Sequence, residues 1–314
     1  MATKPGALYD FPWAEWGSMK YAVFLPFVAT VALGKDDGDS FCWHLLAIAA
    51  LRYASAQLWI SLSRVHAWTR KTRIQARGID FKQVDREDNW DDYILLQTLV
   101  IALVHWMPGL GFNNFPATNE KTAVQLLLLH AGPTEFIYYW LHRALHHHKL
   151  YSAYHSHHHA SFVTEPITGS VHPFMEHLMY TANFAIPLIG TWALGGGSIA
   201  MFYMYLLGFD MLNAIGHCNF EFIPRWFMRL PLMKYLIYTP SYHSLHHSRV
   251  HTNFCLFMPL YDHVYGTADV TSDELYEKAI NGRAVPVTAP DVVFMAHGTE
   301  LLSVFHLPFM LRSF

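Results

Sequence analysis

The sequence predicts an all-α integral membrane protein, built of membrane helical hairpins that carry a cytoplasmic, histidine-rich metal-binding cap. Three observations predict it. Of 314 residues, 53% are hydrophobic and only 14% charged, where a soluble domain carries about 25% charged residues. The long apolar stretches come in pairs joined by turns rich in Gly, Asn and Pro. Finally, 22 histidines, against 21 Lys and Arg together, gather where those pairs end. The apolar and aromatic content excludes disorder, collagen and coiled coil. A net charge of -3, with no basic run interleaved with aromatics, leaves no footprint for nucleic acid. Cys42, Cys218 and Cys255 stand far apart, so neither a disulfide framework nor a thiolate zinc site is expected, and the cap should face a reducing compartment.

The N-terminus lacks a basic start followed by an apolar core and a cleavage site, so no removable signal peptide is expected. Tyr21 to Leu33 is apolar but too short alone to span; it is either re-entrant or extended by the aromatic residues before it. An acidic loop, Lys35 to Asp39, precedes Phe41 to Ser63, which is long enough to cross a bilayer despite Arg52. The polar stretch from Arg64 to Asp92 holds the densest positive cluster and is placed in the cytoplasm by the positive-inside rule. Ile94 to Leu110 then enters the membrane. A turn with Gly109, Gly111, Asn113, Asn114 and Pro116 reverses it, and Thr122 to Leu141 returns. A third hairpin runs from Leu178 to Leu194, turns at Gly195, Gly196 and Gly197 on the lumenal side, and returns from Ser198 to Ile215. The two segments richest in histidine, Arg143 to His177 and His217 to Arg283, thereby fall in the cytoplasm. Val292 to Leu311 is apolar and is read as an interfacial helix, a core helix, or the start of a further segment.

The histidine pattern carries the chemistry. His142 and His146 lie four apart, on one face of a helix. His155-Ser156-His157-His158-His159 is an HxxHH box whose first, fourth and fifth positions are expected to line one helical face, and His243-Ser244-Leu245-His246-His247 repeats it. Asn213 and His217 lie at i and i+4 at the end of the third hairpin. At this histidine content a single HxxHH arises by chance roughly 0.1 times per chain, so two copies at hairpin mouths are not accidental. His142, His146, His155, His158, His159, His217, His243, His246 and His247 supply nine imidazoles, enough for a pair of first-row metal ions, and Asn213 adds an amide oxygen or orients a water. Imidazole suits iron, zinc, copper and nickel alike, so ligand type does not name the metal. His147 serves as well as His146 by spacing. His148 and His157 point to other helix faces, while His44, His66, His105, His263, His297 and His306 are isolated and read as core or surface residues. Phe136, Tyr138, Tyr139 and Trp140, before the first box, read as core or as an interfacial aromatic belt.

These boxes at hairpin mouths resemble the fatty acid hydroxylase and sterol desaturase superfamily of membrane di-iron oxygenases, over about Ala123 to Thr267. The Asn213-to-His217 element is similar to one in the acyl desaturases, where the Asn holds a water near one metal. Within the superfamily, MATKPG, ARGIDFKQVDREDNWDD, EFIYYWLHRALHHH, YHSHHHASFVTEPITGSVHPFMEH, GHCNFEF and YTPSYHSLHH resemble the plant wax-biosynthetic very-long-chain aldehyde decarbonylases of the Eceriferum and Glossy type. The resemblance implies a multi-pass enzyme of the endoplasmic reticulum with two iron ions. Such an enzyme would convert long-chain fatty aldehydes to alkanes one carbon shorter plus formate, with O2 and with electrons from NADPH. No GxGxxG or P-loop motif is present, so those electrons would come through a membrane donor, a cytochrome b-five type carrier or a reductase. His172 and Glu176, in HPFMEH, and Asp262, in LYDHVYGT, are implied to support ligands rather than to be ligands. Residues 1–283 are expected to form the hydroxylase-type domain, with its boxes within 142–267. The apolar segment 284–314 stops short of the C-terminal half that the family usually carries. Membrane lipid and oligomers with itself or with family members are the expected partners. Two other functions fit the same boxes: a hydroxylase or desaturase of a sterol, sphingolipid or fatty acyl chain, and a noncatalytic short-form partner of longer decarbonylases.

Overall fold

The computed structural model describes residues 5–36, 40–63, 69–79, 81–105, 107 and 115–282. The expected turn residues Gly109, Gly111, Asn113 and Asn114, together with His66, His297, His306 and the whole segment 284–314, lie outside the described residues. The regular secondary structure among the described residues is helical, apart from a single bridge between Arg73 and Phe220. In chain order the α-helices of four or more residues are α1 (Leu25–Ala32), α2 (Phe41–Ser63), α3 (Phe81–Arg86), α4 (Asp92–His105), α5 (Glu120–Leu129), α6 (Glu135–Leu145), α7 (Phe174–Ala193), α8 (Ile199–Gly216), α9 (Arg225–Met228), α10 (Met233–Leu236), α11 (Pro240–Arg249), α12 (Leu260–Tyr265) and α13 (Ser272–Ile280).

Two of these, α2 and α8, are long and apolar enough to cross a membrane. They pack on one another, α4 and α1 pack on α2, and α5 packs on α7. The apolar run before α2 forms a string of tight turns, Ala14–Phe24, and then the eight-residue α1. Gly17, at positive φ, breaks the turns ahead of Tyr21, so the residues before the run do not extend it as one continuous helix.

Local chemistry sets the ends of the remaining long helices. The Asn119 side chain caps α5 by accepting from the Lys121 amide. Pro133 cannot donate a backbone hydrogen bond, and the helix widens into a π turn over His130–Thr134 before continuing as α6. Gly195 and Gly197 adopt positive φ between α7 and α8, and the Ser198 hydroxyl accepts from the Met201 amide to start α8. Thr239 caps α11 with Pro240 in its first turn, and Val250 ends it in a left-handed conformation.

Arg52, in the middle of α2, has a partner that sequence did not reveal. Its Nε and Nη2 donate to the two carboxylate oxygens of Asp210 on α8, at 2.7 and 2.9 Å, and both residues are buried. A charge on an apolar helix is tolerated when it faces the bundle interior and is paired. Nearer the N-terminus, Lys20 donates to Asp91 and Asp92, each at 2.7 Å, and the Trp13 indole donates to Asp92. These bonds strap the first turns onto the start of α4.

Asp210→Ala leaves the Arg52 guanidinium buried without its counter-charge and is expected to destabilise the fold by about 3–5 kcal/mol. The apolar pair Arg52→Met with Asp210→Leu should recover most of that loss. Thermal unfolding in detergent measures both; equal destabilisation by the single and double variants would show that the pair is not what joins the helices.

Candidate metal centre

The nine box histidines are all buried and converge. His142 lies in the last turn of α6 and His146 caps its C-terminus. His217 caps the C-terminus of α8, and His243, His246 and His247 project from α11. The middle box is not on an α-helix, contrary to expectation. His155 ends a π turn, Tyr151–His155, and His158 and His159 open a 3-10 turn.

The nine fall into two groups. His142, His146, His155, His159 and His246 form one, and His158, His217, His243 and His247 the other, with the ligand atoms of each group within 4.8 Å of one another. The groups adjoin: the rings of His159 and His247 are 4.7 Å apart and those of His158 and His159 5.4 Å. The three histidines of a box therefore do not line one face. In each HxxHH the first and fifth residues serve one group and the fourth serves the other; on α11 this follows because i and i+4 share a helical face from which i+3 is rotated, and the middle box divides the same way from its π and 3-10 turns. One box lends two imidazoles to the first group and one to the second; the other does the reverse.

Backbone and carboxylate acceptors orient the rings. His142 Nδ1 donates to the Phe254 carbonyl at 2.8 Å, His217 Nδ1 to the Asn213 carbonyl at 2.8 Å, and His246 Nδ1 to the Thr252 carbonyl at 2.7 Å. His247 Nδ1 donates to the Ser161 carbonyl at 3.2 Å and His155 Nδ1 to Glu176 Oε1 at 2.7 Å. A carbonyl cannot donate, so in His142, His217, His246 and His247 it forces the proton onto Nδ1 and leaves the Nε2 lone pair facing inward, the arrangement that surrounds metal-bound histidines; an ionised Glu176 does the same for His155.

The inward nitrogens fit a metal. His246 Nε2, His247 Nε2 and both ring nitrogens of His146 are buried without a hydrogen-bond partner, which is costly for a polar atom unless something else engages it. The Nε2 atoms of His142 and His155 are 3.0 Å apart, and those of His217 and His243 2.9 Å. Two nitrogens bound at right angles about 2.0–2.1 Å from one ion lie about 3 Å apart. Burial depresses the imidazoles, with His142 and His217 lowered to about 4, so the rings are neutral near pH 7 and available as ligands.

The supporting residues are placed as follows. Glu176 holds His155 and accepts from the Tyr180 hydroxyl at 2.8 Å. Burial pushes its carboxyl up to about 8, and a bound cation beside it would favour the ionised form. His172 stacks on His158 with ring centres 4.2 Å apart and lies 3.7 Å from Glu176. Asp262 stands a step further out. It accepts from the Phe254 and Cys255 amides and the hydroxyls of Thr267 and Tyr242, fixing the loop whose Phe254 carbonyl holds His142. The Asn213 side chain donates to the Gly169 carbonyl at 2.9 Å, which sets α8 against the loop before α7. His147 and His148 are exposed and pair with each other rather than with the groups, and His157 packs on Tyr9. His44 meets the Tyr203 hydroxyl, His105 stacks on Phe41, and His263 packs on Tyr235.

Sequence reading missed Glu87. It accepts from the hydroxyls of Ser161 and Thr168, and Ser161 in turn offers its carbonyl to His247. Its position in a polar, basic stretch gave no signal of burial. Gly169 was also missed: a Cβ there would lie 2.6 Å from His217 Nδ1 and 2.7 Å from Asn213 Nδ2.

Comparison with known proteins agrees with this geometry. The fatty acid hydroxylase family matches residues 127–267, which contain all nine histidines. The rice (Oryza sativa) very-long-chain aldehyde decarbonylase GL1-4 is 48% identical over 314 residues, covering 98% of this chain and 50% of the rice protein. The Arabidopsis thaliana very-long-chain aldehyde decarbonylase CER1 is 47% identical over 321 residues, covering 100% and 51%, and protein CER1-like 2 of the same plant is 46% identical over 309. The chain thus spans about half the length of the curated relatives it matches. No solved structure matches it.

Two outcomes follow. Glu176→Ala removes the acceptor that orients His155 and should weaken metal binding about 10–100-fold, read by metal competition with a chelator; unchanged affinity would mean that Glu176 does not orient the ligand. The buried histidines also make stability pH-dependent. Their folded pKa values lie below the unfolded value near 6.5, so the unfolded chain takes up more protons in acid. Metal-free stability is then full above about pH 6.5 and falls as the pH drops toward about 4. Denaturant titrations at several pH values measure this, and a flat profile across that window would contradict it.

Proposed function

Since the chain belongs to the fatty acid hydroxylase family, as a homologue of the plant CER1 and GL1 very-long-chain aldehyde decarbonylases, we propose that it converts long-chain fatty aldehydes to alkanes one carbon shorter, releasing formate. The observation that carries this reading is the pair of adjoining all-histidine groups, whose inward nitrogens either lie about 3 Å from one another or, in His146, His246 and His247, are buried without a partner. The nine histidines would hold two iron ions, which supply the activation of dioxygen when bound. Atom balance from aldehyde and dioxygen to alkane, formate and water requires electrons from outside. They would come from NADPH through a membrane donor of cytochrome b-five or reductase type.

The chain's own residues do the rest. The carbonyl and carboxylate acceptors hold five of the nine imidazoles in place, so that part of the ligand set needs little rearrangement on loading. An apolar cavity between α4, α5, α7 and α8, lined among others by Leu126, Leu188, Tyr205, Phe184 and Phe209, suits an alkyl tail. Its inner wall abuts the metal centre: Phe209 packs on Phe184 at 4.2 Å, Phe184 stacks on Tyr138 at 6.1 Å, and Tyr138 lies 5.1 Å from His142. These aromatic side chains exclude bulk water from the approach to the histidines and would present the aldehyde end toward them. We place the protein in the endoplasmic reticulum membrane with the histidine groups facing the cytosol, residues 1–283 forming one metal-bearing domain.

The test is mass-spectrometric lipid analysis of yeast membranes that express the chain and are supplied with a long-chain aldehyde. The alkane one carbon shorter should appear, and His246→Ala and His247→Ala should each abolish it at unchanged expression. A hydroxylated or desaturated lipid in its place would move the reading to those chemistries, and alkane from both variants would remove the histidines from the reaction.

A further inference from the structure

Between α8 and α11 the chain carries a surface that the metal chemistry does not use. The stretch from Pro224 to Ile237 reads PRWFMRLPLMKYLI and contains no acidic residue. Trp226, Leu230, Leu232 and Leu236 are exposed, Trp226 and Leu232 by 67% and 64%. Arg229 and Lys234 are exposed among them. At the tip of this stretch Leu232 takes a left-handed backbone, φ 71°. That conformation is unfavourable for a leucine, and here it turns an apolar side chain away from the protein instead of into a core.

The surface does not stand alone. α10, within the stretch, packs against α12, where Val264 and Tyr265 are exposed. The Tyr265 ring meets Trp140 on α6 at 5.0 Å. Trp140 continues into Ile137 and Phe136, which are exposed on α6 in the run expected to return through the membrane. Arg143 lies over the Trp140 ring at 5.4 Å. Exposed apolar and aromatic side chains therefore run from α6 through α12 to α10, where Tyr235 packs on His263, and on to Leu232, with Arg143, Arg229 and Lys234 exposed among them. Apolar side chains and Trp together with cations are the pattern of an element lying in the plane of a membrane interface.

We infer that residues 224–237 and the exposed side of α12 form an in-plane membrane anchor, with Trp226, Leu230, Leu232 and Leu236 among the lipid chains and Arg229 and Lys234 on the headgroups of anionic phospholipids. The charge complementarity and the continuity with the exposed face of α6 carry the assignment. The anchor lies at the same end of the bundle as the histidines, since α6 carries His142 and α11 follows the stretch directly. It sets the depth of the metal centre against the bilayer surface.

The test uses the full chain in bilayers of phosphatidylcholine with and without phosphatidylserine. Cys218 and Cys255 are buried, so a bimane probe at Leu232→Cys in a Cys42→Ser background reports one position. Leu230→Cys reads the same surface independently, and Glu274→Cys, at an exposed acidic position on α13, serves as the aqueous control. Brominated lipid should quench the Leu230 and Leu232 probes, and aqueous iodide should reach them several-fold less than the control. In Arg229→Gln with Lys234→Gln, the enrichment of phosphatidylserine over phosphatidylcholine among co-purified lipids should fall by roughly five-fold per cation removed. The anchor is overturned if iodide reaches the Leu230 and Leu232 probes as freely as the control, or if lipid enrichment is unchanged in the double variant. It is overturned equally if the probes become shielded only on adding a soluble acidic protein, which would make the surface a docking site for that protein.

Discussion

The constraint on which the structure depends is that nine neutral imidazoles must be buried side by side with their rings held in register, and five of them are held by an acceptor on the outer nitrogen. A buried polar atom without a partner costs about 1–3 kcal/mol, so the fold around the site is largely an arrangement of acceptors. Carbonyls of Phe254, Thr252, Asn213 and Ser161 and the carboxylate of Glu176 each take one Nδ1 proton. In these five rings Nε2 is the nitrogen that remains after the bond is made. Other features near the site hold the acceptors: Asp262 fixes the loop of Phe254, Glu87 fixes Ser161 and Thr168, and the glycine at 169 lets that loop approach His217.

Helix α2 was legible as drawn, because a long apolar run bounded by charged residues has few alternatives, and the identities of the buried histidines were legible because HxxHH is rare by chance. The carbonyl acceptors were not, since a backbone oxygen leaves no mark on residue type. Nor was the division of each box between two groups. Spacing sets i and i+4 apart from i+3 but does not say that two groups stand ready to receive them, and it gives no sign that the middle box leaves the α-helix for π and 3-10 turns. His146 and His147 were equivalent by spacing, and only the end of α6 separates them, turning His146 inward and leaving His147 exposed.

The charged residues among the apolar helices follow the same logic at lower density. Arg52 read as an anomaly in a spanning run until Asp210, a helix and more than a hundred residues away, closed both of its bonds. Lys20 with Asp91 and Asp92 repeats the device where the first turns meet α4. Such pairs add little net stability compared with apolar packing, but they allow few alternative alignments of the helices. Misaligning α8 would displace His217 at its end.

Because each HxxHH box lends imidazoles to both groups, the two groups share their supports as two wheels share an axle. A one-residue insertion or deletion in either box would rotate ligands out of both at once, so neither group can drift in sequence while the other is kept. Variation in what such a protein acts on is therefore channelled away from the boxes and toward positions free of that shared rotation. The walls of the apolar cavity, among them Leu126, Leu188 and Leu206, are such positions, each able to change size without turning an imidazole.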